Sequence, residues 1–364
     1  MLNTILFKKL DIYIIKKFLG TFFFSLLLII PVIVVFDLSE KMRDFIERKA
    51  PIHGIIFDYY VNFVPYLVNQ FSPLFVFIAV IFFTSKMASN SEIVAILSSG
   101  ISFKRLLRPY LISAFVLAIL SFYLNNFLIP SANKDRLAFE EIYYRNKFRN
   151  DANNIHLQID PNTYIYMTNY NVDLNMGVNF SIETFKDGEL VYKLLSDNVQ
   201  WDSLKNSWGI SNYVERHIDG INETITKGLR KDTLLNFNPE EFKRRDNFIE
   251  TKNYFELNEL ITEEKFKGSH FVIDCEIKKQ ERAAYPFATF VLTIIGVSLS
   301  SRKVRGGIGL HIGIGLLISF SYILFMQISS TFAKNSGVPA IIAVWIPNVL
   351  YSILALYLLK KAPK

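Results

Sequence analysis

The chain has 364 residues, of which 51% are hydrophobic, and it carries 40 Lys+Arg against 33 Asp+Glu for a formal net charge of +7. Six long segments contain no Asp, Glu, Lys or Arg, and a soluble globule would have to bury all six without a polar face. This excludes an ordinary soluble protein. The single cysteine, Cys275, excludes an intramolecular disulfide.

The uncharged segments are residues 18–36, 59–85, 109–133, 283–301, 306–333 and 335–359. Each is long enough to cross a hydrocarbon core of ~30 Å as an α-helix. A cleavable signal peptide is the alternative for the first segment. That segment is long, however, and ends at Val34-Val35-Phe36-Asp37 without the small residues that a signal peptidase recognises. We therefore predict six transmembrane helices.

Charge is unevenly distributed along the chain. Residues 134–282 carry 21 Lys+Arg against 26 Asp+Glu, whereas the rest carries 19 against 7. If the N-terminus is cytoplasmic, the basic residues beside the spans collect on the cytoplasmic side, where Asp11 and Glu92 are the only acids. The positive-inside rule thus predicts cytoplasmic termini and an insert outside the cytoplasm. Anionic lipid headgroups account for the basic excess without a nucleic-acid partner.

The cytoplasmic loop between the second and third spans, residues 86–108, has the pattern of a short amphipathic helix. Ser89 or Asn90 is predicted to cap it, Glu92 lies in its first turn, and Gly100 is a natural stop. The apolar residues Ile93, Ile96 and Leu97 form a ridge. Such a helix suits docking of another subunit. The alternative is an interfacial helix lying flat in lipid, with Glu92 only completing its cap.

The insert between the third and fourth spans has a β pattern. Apolar residues alternate in segments 154–160 and 163–167, Lys186-Asp187-Gly188-Glu189 predicts a tight hairpin, and a polar turn at 202–207 joins a further strand pair. Roughly eight short strands at ~10-residue spacing indicate an antiparallel sandwich or jelly roll. Residues 254–266 are predicted to be helical, and another helix runs from about Cys275 into the fourth span.

The predicted fold is therefore an α-helical polytopic membrane protein with an inserted antiparallel β-jellyroll-like domain. Residues 1–133 hold the first three spans and the short helix at about 89–100. Residues 134–270 form the β domain and a helical connector, and residues 271–364 hold the last three spans.

Residues that carry chemistry are sparse. The five histidines lack the spacing of metal ligands, and the spans contain no Asp, Glu, Lys or Arg, which argues against ion-coupled transport. His311 alone lies within a span, where a neutral imidazole is more often a helix-packing hydrogen-bond partner than a ligand or proton relay.

Nucleotide and hydrolase motifs are missing as well. Arg305-Gly306-Gly307-Ile308-Gly309 lacks the lysine of a phosphate-binding loop, and the chain has neither a G-x-S-x-G motif nor a zinc-type histidine pair. We predict a protein that is not an enzyme and holds no metal or cofactor of its own. If it moves a substrate, another subunit must bind ATP and supply the energy.

Several short motifs resemble those of the LptF/LptG permease family. They are Ser91-Glu92-Ile93, Ser99-Gly100-Ile101-Ser102, Arg108-Pro109, Glu281-Arg282-Ala283, Pro286, Arg305-Gly306-Gly307 and Trp345-Ile346-Pro347-Asn348. The resemblance covers essentially the whole chain in the order of its elements. It implies the membrane subunit of an ABC transporter that extracts lipopolysaccharide from the bacterial inner membrane and passes it to a periplasmic bridge toward the outer membrane.

The resemblance also implies partners. They are a paralogous LptF or LptG permease in a heterodimer, a dimer of an LptB-type ATPase, LptC/LptA-type bridge components that pair edge to edge with the periplasmic jellyroll, and lipopolysaccharide itself. Whether this chain is the LptF or the LptG partner stays open, because the two share these motifs.

Site residues follow from the same resemblance. The helix at 89–100 becomes an ATPase-coupling helix, in which Glu92 meets a basic residue of the ATPase, with contributions from Ile93, Ile96, Leu97 and Gly100. The first and fifth spans become lateral gates, and Gly306, Gly307, Gly309 and Gly313 are the gate candidates at the start of the fifth. Packing within one subunit is the alternative for these glycines. Lys41 and Arg43 are candidates for lipid headgroup contact, with an ordinary solvated loop as the alternative.

Two other classes of protein remain as alternatives. A non-transport scaffold or signalling protein with an external β-sandwich would need no coupling helix. A secondary transporter or flippase would show ion-dependent transport and an internal repeat, and no convincing repeat relates the two halves of the chain.

Overall fold

The computed structural model describes residues 8–150, 152–302 and 307–362. Six of its helices are long and apolar enough to cross a membrane, which confirms the prediction of six spans. In chain order the helices and strands are α1 (Lys9–Glu47), α2 (Ile52–Ser89), α3 (Glu92–Ser98), α4 (Phe103–Tyr143), β1 (Asn153–Asp160), β2 (Thr163–Asn171), β3 (Met176–Lys186), β4 (Glu189–Asp202), β5 (Ser207–Asp219), β6 (Asn222–Thr233), α5 (Tyr254–Phe266), α6 (Phe271–Ser300), α7 (Gly307–Ser336) and α8 (Ala340–Lys361).

The chain divides into two compact units. The membrane unit comprises the chain up to Tyr144, Glu250–Tyr254 and the chain from Glu276 onward. The β unit comprises Arg145–Ile249 and Phe255–Cys275. Two of the spans contain a π-helical turn, at Ile55–Tyr60 in α2 and at Leu124–Leu128 in α4.

Helices α1, α2 and α4 share one buried apolar cluster. Ile14 and Phe18 of α1, Val76 of α2, and Leu106 and Tyr110 of α4 belong to it. The opposite side of α1 exposes large apolar residues, among them Phe24 and Leu27 with 62% and 67% of their surface accessible. Such an outward face is expected where lipid tails or another subunit replace water.

Hydrogen bonds join the last three spans at membrane depth. Asn348 of α8, which is fully buried, donates to the Ala284 carbonyl of α6 at 3.1 Å and accepts from the Tyr322 hydroxyl of α7 at 3.1 Å. In an apolar bundle such polar contacts satisfy groups that lipid cannot, so they fix neighbouring helices against one another.

The β unit contains one six-stranded antiparallel sheet in the order β1-β2-β3-β4-β5-β6. This confirms an inserted antiparallel domain, but the prediction of eight strands in a sandwich or jelly roll is wrong in number and connectivity. The observed strands are fewer than the predicted ones because several are long; β4 alone has 14 residues. Period-2 alternation marks a strand but does not reveal how far it continues.

The predicted hairpins are confirmed. Lys186 pairs with Glu189 across a two-residue turn in which Asp187 and Gly188 have φ of 53° and 86°. Asp202 pairs with Ser207 across the polar turn between β4 and β5. An Asp-Gly turn adopts these positive φ angles readily, and its twist suits a two-residue hairpin.

Trp208 lies at the centre of the β unit's core. It is fully buried, its ring stacks on Phe237 at 4.5 Å between centroids, and its indole N–H donates to the Phe237 carbonyl at 3.0 Å. The buried cluster also includes Phe180, Ile182, Leu194, Val199 and Phe242. One face of the sheet is thus covered by the chain that follows β6.

The helical connector agrees with the sequence at one position and differs at another. α5 spans Tyr254–Phe266, as predicted, whereas α6 begins at Phe271 rather than near Cys275. The Cys275 side chain is buried and packs with Leu257, Leu260 and Ile261.

Candidate functional site

The short helix α3 follows α2 with almost no linker. The Asn90 N–H donates to the Lys86 carbonyl at 3.0 Å, and Ser91 adopts a left-handed φ of 61° that turns the chain into α3. The predicted cap at Ser89 or Asn90 is wrong. Ser89 ends α2, and Ser91 is the cap residue, without a side-chain cap hydrogen bond. A tight turn replaces the capped start because α2 continues four residues beyond the uncharged segment.

One face of α3 packs against the membrane unit. Ile93 is buried in the cluster formed by α1, α2 and α4, and the partly buried Ile96 and Leu97 pack against the same cluster. The chain leaves the helix at Gly100, whose φ of +83° is the predicted glycine stop. The ridge of Ile93, Ile96 and Leu97 therefore contacts protein within this subunit. Val94 is 59% exposed on the other side.

The Glu92 carboxylate lies between α1 and the turn before α3. The Tyr13 hydroxyl of α1 donates to it at 3.3 Å, and the Asn90 side-chain amide donates at 3.2 Å. Glu92 is only partly buried, so it remains accessible to a further partner. Neither donor carries a charge, and a cationic side chain approaching Glu92 would form a stronger hydrogen bond than either.

Asp11 and Arg105 join the beginnings of α1 and α4 beside this helix. Asp11 is buried and accepts two hydrogen bonds from the Arg105 guanidinium, at 2.7 and 2.6 Å. Each of the two acids of the basic surface thus bonds a residue of another helix: Asp11 of α1 bonds Arg105 of α4, and Glu92 of α3 bonds Tyr13 of α1. Sequence reasoning noted their isolation among basic residues but did not predict these contacts.

The described glycines of α7 lie on two different faces. A Cβ at Gly315 would overlap Ile81 of α2, whereas a Cβ at Gly309 or Gly313 would meet no described atom within 4 Å. Packing within this subunit therefore explains Gly315 but does not explain the Gly309-x-x-x-Gly313 pair. Gly306 lies outside the described residues, and Gly307 begins the helix.

His311, near the same end of α7, forms the hydrogen bond that a helix-packing histidine is expected to form. Its Nδ1 lies 2.8 Å from the Ser85 hydroxyl of α2, and both residues are buried. Among the described residues, no cluster of three or more His, Cys, Asp and Glu side chains is arranged to hold a metal ion.

The motif residues that lie far apart in sequence meet where α6, α7 and α8 pack. Glu281 accepts a hydrogen bond from Ser330 at 2.8 Å, and Trp345 donates to Gln280 at 3.2 Å.

The family model described as lipopolysaccharide export system permease LptF/LptG matches residues 12–361 of this chain. The chain belongs to the LptF/LptG family. It is thus a multi-pass membrane permease of the lipopolysaccharide export system. A comparison with curated proteins found no match.

Lys41 of this LptF/LptG permease is enclosed rather than solvated. It lies in α1, is 8% exposed, pairs with Asp37 at 2.7 Å and bonds the Tyr59 hydroxyl. Its ammonium lies 4.7 Å from the Tyr59 ring centroid and 4.8 Å from that of Tyr144. Arg43 points the other way; its side chain is 86% exposed and pairs with Glu47 at 2.8 Å. The loop alternative for this segment is wrong, because α1 continues through Glu47.

A cluster of ion pairs that the sequence did not predict lies near the end of α4 and the beginning of α6. Glu250 contacts Lys278 at 3.3 Å and Arg136 at 3.5 Å, and Arg136 also contacts Glu140 at 3.7 Å. Glu250 belongs to a short polar piece of chain that returns to the membrane unit. Its neighbours are more than 25 residues away in sequence, so no local pattern indicated the contact.

The LptF/LptG permease also has an open cavity of about 630 Å³ in the β unit. Tyr164 and Tyr166 line it beside Phe180, and the ion pair between Lys193 and Glu183, 2.7 Å long, forms a charged part of its wall. Phe180 is 1% exposed and belongs to the core, whereas Tyr164 is 43% exposed. The cavity wall is therefore mixed in polarity.

Proposed function

We propose that this permease is one half of a heterodimer, LptF or LptG, that moves lipopolysaccharide from the inner membrane to a periplasmic bridge and is driven by a separate LptB-type ATPase. The observation that carries the proposal is α3, a short helix directly after the second span that presents a partly exposed acid, Glu92, beside the exposed Val94. A family match over residues 12–361 accompanies it. We propose that α3 is the coupling helix and that Glu92 binds a basic residue of the ATPase, with Ile93, Ile96, Leu97 and Gly100 setting its position.

Glu92→Ala tests this coupling. Replacing Glu92 removes the acceptor for a charge-assisted hydrogen bond but leaves Ile93 in its buried position. We expect less ATPase to co-purify with the variant, and less lipid-stimulated ATP hydrolysis, at unchanged permease yield. Glu47→Ala is the control, because Glu47 is an exposed acid at the other end of α1 and pairs with Arg43 of the same helix. Wild-type recovery and hydrolysis in Glu92→Ala would refute the role.

For orientation, we propose cytoplasmic termini and a periplasmic β unit, as the charge asymmetry predicts. Ser98 on α3 and Leu204 in the β4–β5 turn are both exposed, Leu204 by 98%. In a Cys275→Ala background, a membrane-impermeant thiol reagent applied from the periplasmic side should label Leu204→Cys and spare Ser98→Cys. The reverse pattern would invert the topology.

We propose that the face of α7 at Gly309 and Gly313, where an added Cβ would meet no described atom, belongs to the lateral gate, together with Gly306 and Gly307 at the start of the fifth span. Small residues let helices of two subunits approach closely and separate again. Neighbouring exposed apolar residues such as Leu310 and Leu317 support a face that contacts lipid or the second permease.

For lipid headgroup contact, the geometry favours Arg43 over Lys41. The Arg43 guanidinium is exposed and held only by a surface ion pair, which is weak, whereas a phosphate would have to displace Asp37 to reach Lys41. A photocrosslinker at position 43 should label lipopolysaccharide. One at position 41 should label it less.

We propose β6 as the edge that receives the bridge component. The outer edge of β1 is partly occupied, because its Gln158 N–H donates to the Lys267 carbonyl and its Ile159 carbonyl accepts from Asn236, each at 3.1 Å. No described strand pairs with the outer edge of β6, and its Leu229 is 84% exposed. A free edge offers backbone donors and acceptors to an added strand. Photocrosslinkers at Leu229 and, as a control, at His156 of β1 test the choice.

Affinity purification from native membranes with mass spectrometry tests the assignment as a whole. Recovery of a second six-span permease, an ABC ATPase and lipopolysaccharide is expected. Recovery of the chain alone, from membranes in which other complexes survive, would favour a scaffold instead.

A further inference from the structure

The second and fifth spans meet along a seam with a regular register. Ser85 of α2 bonds His311 of α7 at 2.8 Å. Four residues earlier in α2, Ile81 occupies the space where a side chain at Gly315, four residues later in α7, would lie. From the first contact to the second, the position moves four residues back along α2 and four residues forward along α7. This is the pattern expected of two antiparallel helices that pack through one face each.

This seam is both packed and polar. Phe77, one further turn along α2, lies 3.5 Å from the position of a Gly315 Cβ and is fully buried. Because Gly315 has no side chain, α7 approaches α2 closely enough for Ile81 to fill the space beside it, which we call the Gly315 notch. The Ser85–His311 hydrogen bond sets how far the two helices are shifted along each other, which apolar packing alone does not determine. The two contacts therefore restrain different motions of the same helix pair.

The seam lies close to α3 along the chain. Ser85 is one helical turn before Ser89, the last residue of α2. The turn that follows is itself hydrogen-bonded, from Asn90 N–H to Lys86 O and from Ser91 N–H to Ala88 O, and Met87 and Ile93 belong to one buried cluster. A displacement of α3 therefore moves the end of α2 rather than being absorbed by a flexible linker.

The other face of α7 is the one without a described neighbour at Gly309 and Gly313. His311 and Gly315 lie on the seam side, roughly half a turn away around the helix. The fifth span thus has one face attached to α2 and one available to leave or meet another surface.

We propose that the Ser85–His311 hydrogen bond and the Gly315 notch make the second and fifth spans one moving body, which delivers the displacement of α3 to the fifth span. His311 is then a positioning residue for transport, and it needs no proton transfer to act. This inference rests on the proposed function, because it takes α3 as the site of ATPase docking and α7 as a gate.

The test compares lipid transfer with ATP hydrolysis for the complete complex in proteoliposomes. His311→Leu and Ser85→Ala remove either partner of the bond, and His311→Asn keeps a polar atom near the position of Nδ1. We expect His311→Leu and Ser85→Ala to lower the lipid transferred per ATP by about threefold, the size of one interhelical hydrogen bond in a bilayer. The double variant should be no worse than either single one, and His311→Asn should retain most of the ratio.

Ser321→Ala is the matched control. Ser321 also lies on α7 and bonds a residue of another helix, Tyr351, at 2.5 Å, but this contact is exposed and away from the seam. We expect this variant to transfer as much lipid per ATP hydrolysed as the wild-type complex does. A purely structural loss would lower yield and both activities together and leave the ratio unchanged, which would overturn the proposal.

A crosslink gives an outcome that does not depend on the folding of His311→Leu. In a Cys275→Ala background, Ser85→Cys/His311→Cys joined by a short bifunctional thiol reagent should transfer lipid at the wild-type ratio, because the two helices are expected to move together. Loss of transfer on crosslinking would show that they separate during the cycle and would refute the proposal. Failure of the proposed function looks different, since the wild-type complex would then transfer no lipid in the same assay.

Discussion

Arg105 donates two hydrogen bonds to Asp11, with Nη1–Oδ1 and Nη2–Oδ2 distances of 2.7 and 2.6 Å, and so fastens the start of the third span to the start of the first. The Asp11 side chain is 5% exposed and that of Arg105 is 27% exposed. The pair is thus shielded well enough for its charges to matter more than those of a surface ion pair.

Removing this pair should lower the stability of the permease. We expect Arg105→Ala to cost about 1.5–3 kcal/mol, because it leaves the buried Asp11 carboxylate without its charged donor. Thermal unfolding of the purified permease in detergent measures the change. Arg43→Ala is the control, and the loss of its exposed pair with Glu47 should cost less than ~1 kcal/mol. Equal shifts for the two variants would contradict the prediction.

Alanine at two glycines of α7 should have opposite outcomes. Gly315→Ala places a methyl group against Ile81 and should destabilise the permease by about 1–3 kcal/mol, the usual cost of overpacking. Gly313→Ala meets no described atom and should leave the thermal midpoint of the isolated subunit unchanged or slightly higher. If Gly313→Ala instead lowers recovery of the second permease, this face of α7 is an intersubunit contact.

Substitutions at Lys41 and Arg43 should have different effects: at Lys41 a loss of stability, and at Arg43 a loss of lipid contact. Lys41→Met removes a buried ammonium and should cost about 1–3 kcal/mol, because Asp37 keeps only the hydroxyl donors of Tyr59 and Tyr60. Arg43→Gln should leave the thermal midpoint unchanged and reduce photocrosslinking to lipopolysaccharide from neighbouring positions. Stable Lys41→Met protein that has lost lipid contact would reverse the assignment.

Glu215 should make the outer strands of the sheet sensitive to acid. Burial alone raises the pKa of its carboxyl, but hydrogen bonds from Lys231 and Tyr192 outweigh burial and hold the pKa below its usual value. A lowered pKa in the folded state stabilises the sheet above the unfolded pKa of ~4.3, and this contribution is lost as the pH falls through the folded pKa.

Hydrogen exchange of β5 and β6 amides in the complete chain measures this effect. Protection should fall below about pH 4 in the wild type. Glu215→Gln should have lower protection at neutral pH and a smaller further loss on acidification. The remaining acid sensitivity is expected from Glu223 and Asp232, whose pKa values are also lowered, by hydrogen bonds from Arg216 and Lys205 respectively. An unchanged pH profile in Glu215→Gln would contradict the prediction.

Much of the fold could be predicted because its signals are local. The six uncharged segments specify spans by length alone, and Asp187-Gly188 specifies a hairpin because only such residues adopt positive φ readily. The strand count and the cap of α3 were wrong for the same reason: both depend on how far an element continues, and tertiary packing decides that.

The sequence by itself determined the number of spans, the antiparallel insert and the family motifs, since hydrophobic length, alternation and turn chemistry act within a few residues of chain. Tertiary structure alone decided that Asp11 bonds Arg105, that Lys41 is enclosed while Arg43 is exposed, and that His311 bonds Ser85 while Gly313 faces away from any described neighbour. These contacts join residues 18 to 226 positions apart, so their energies depend on helix rotation and register, which no local pattern specifies.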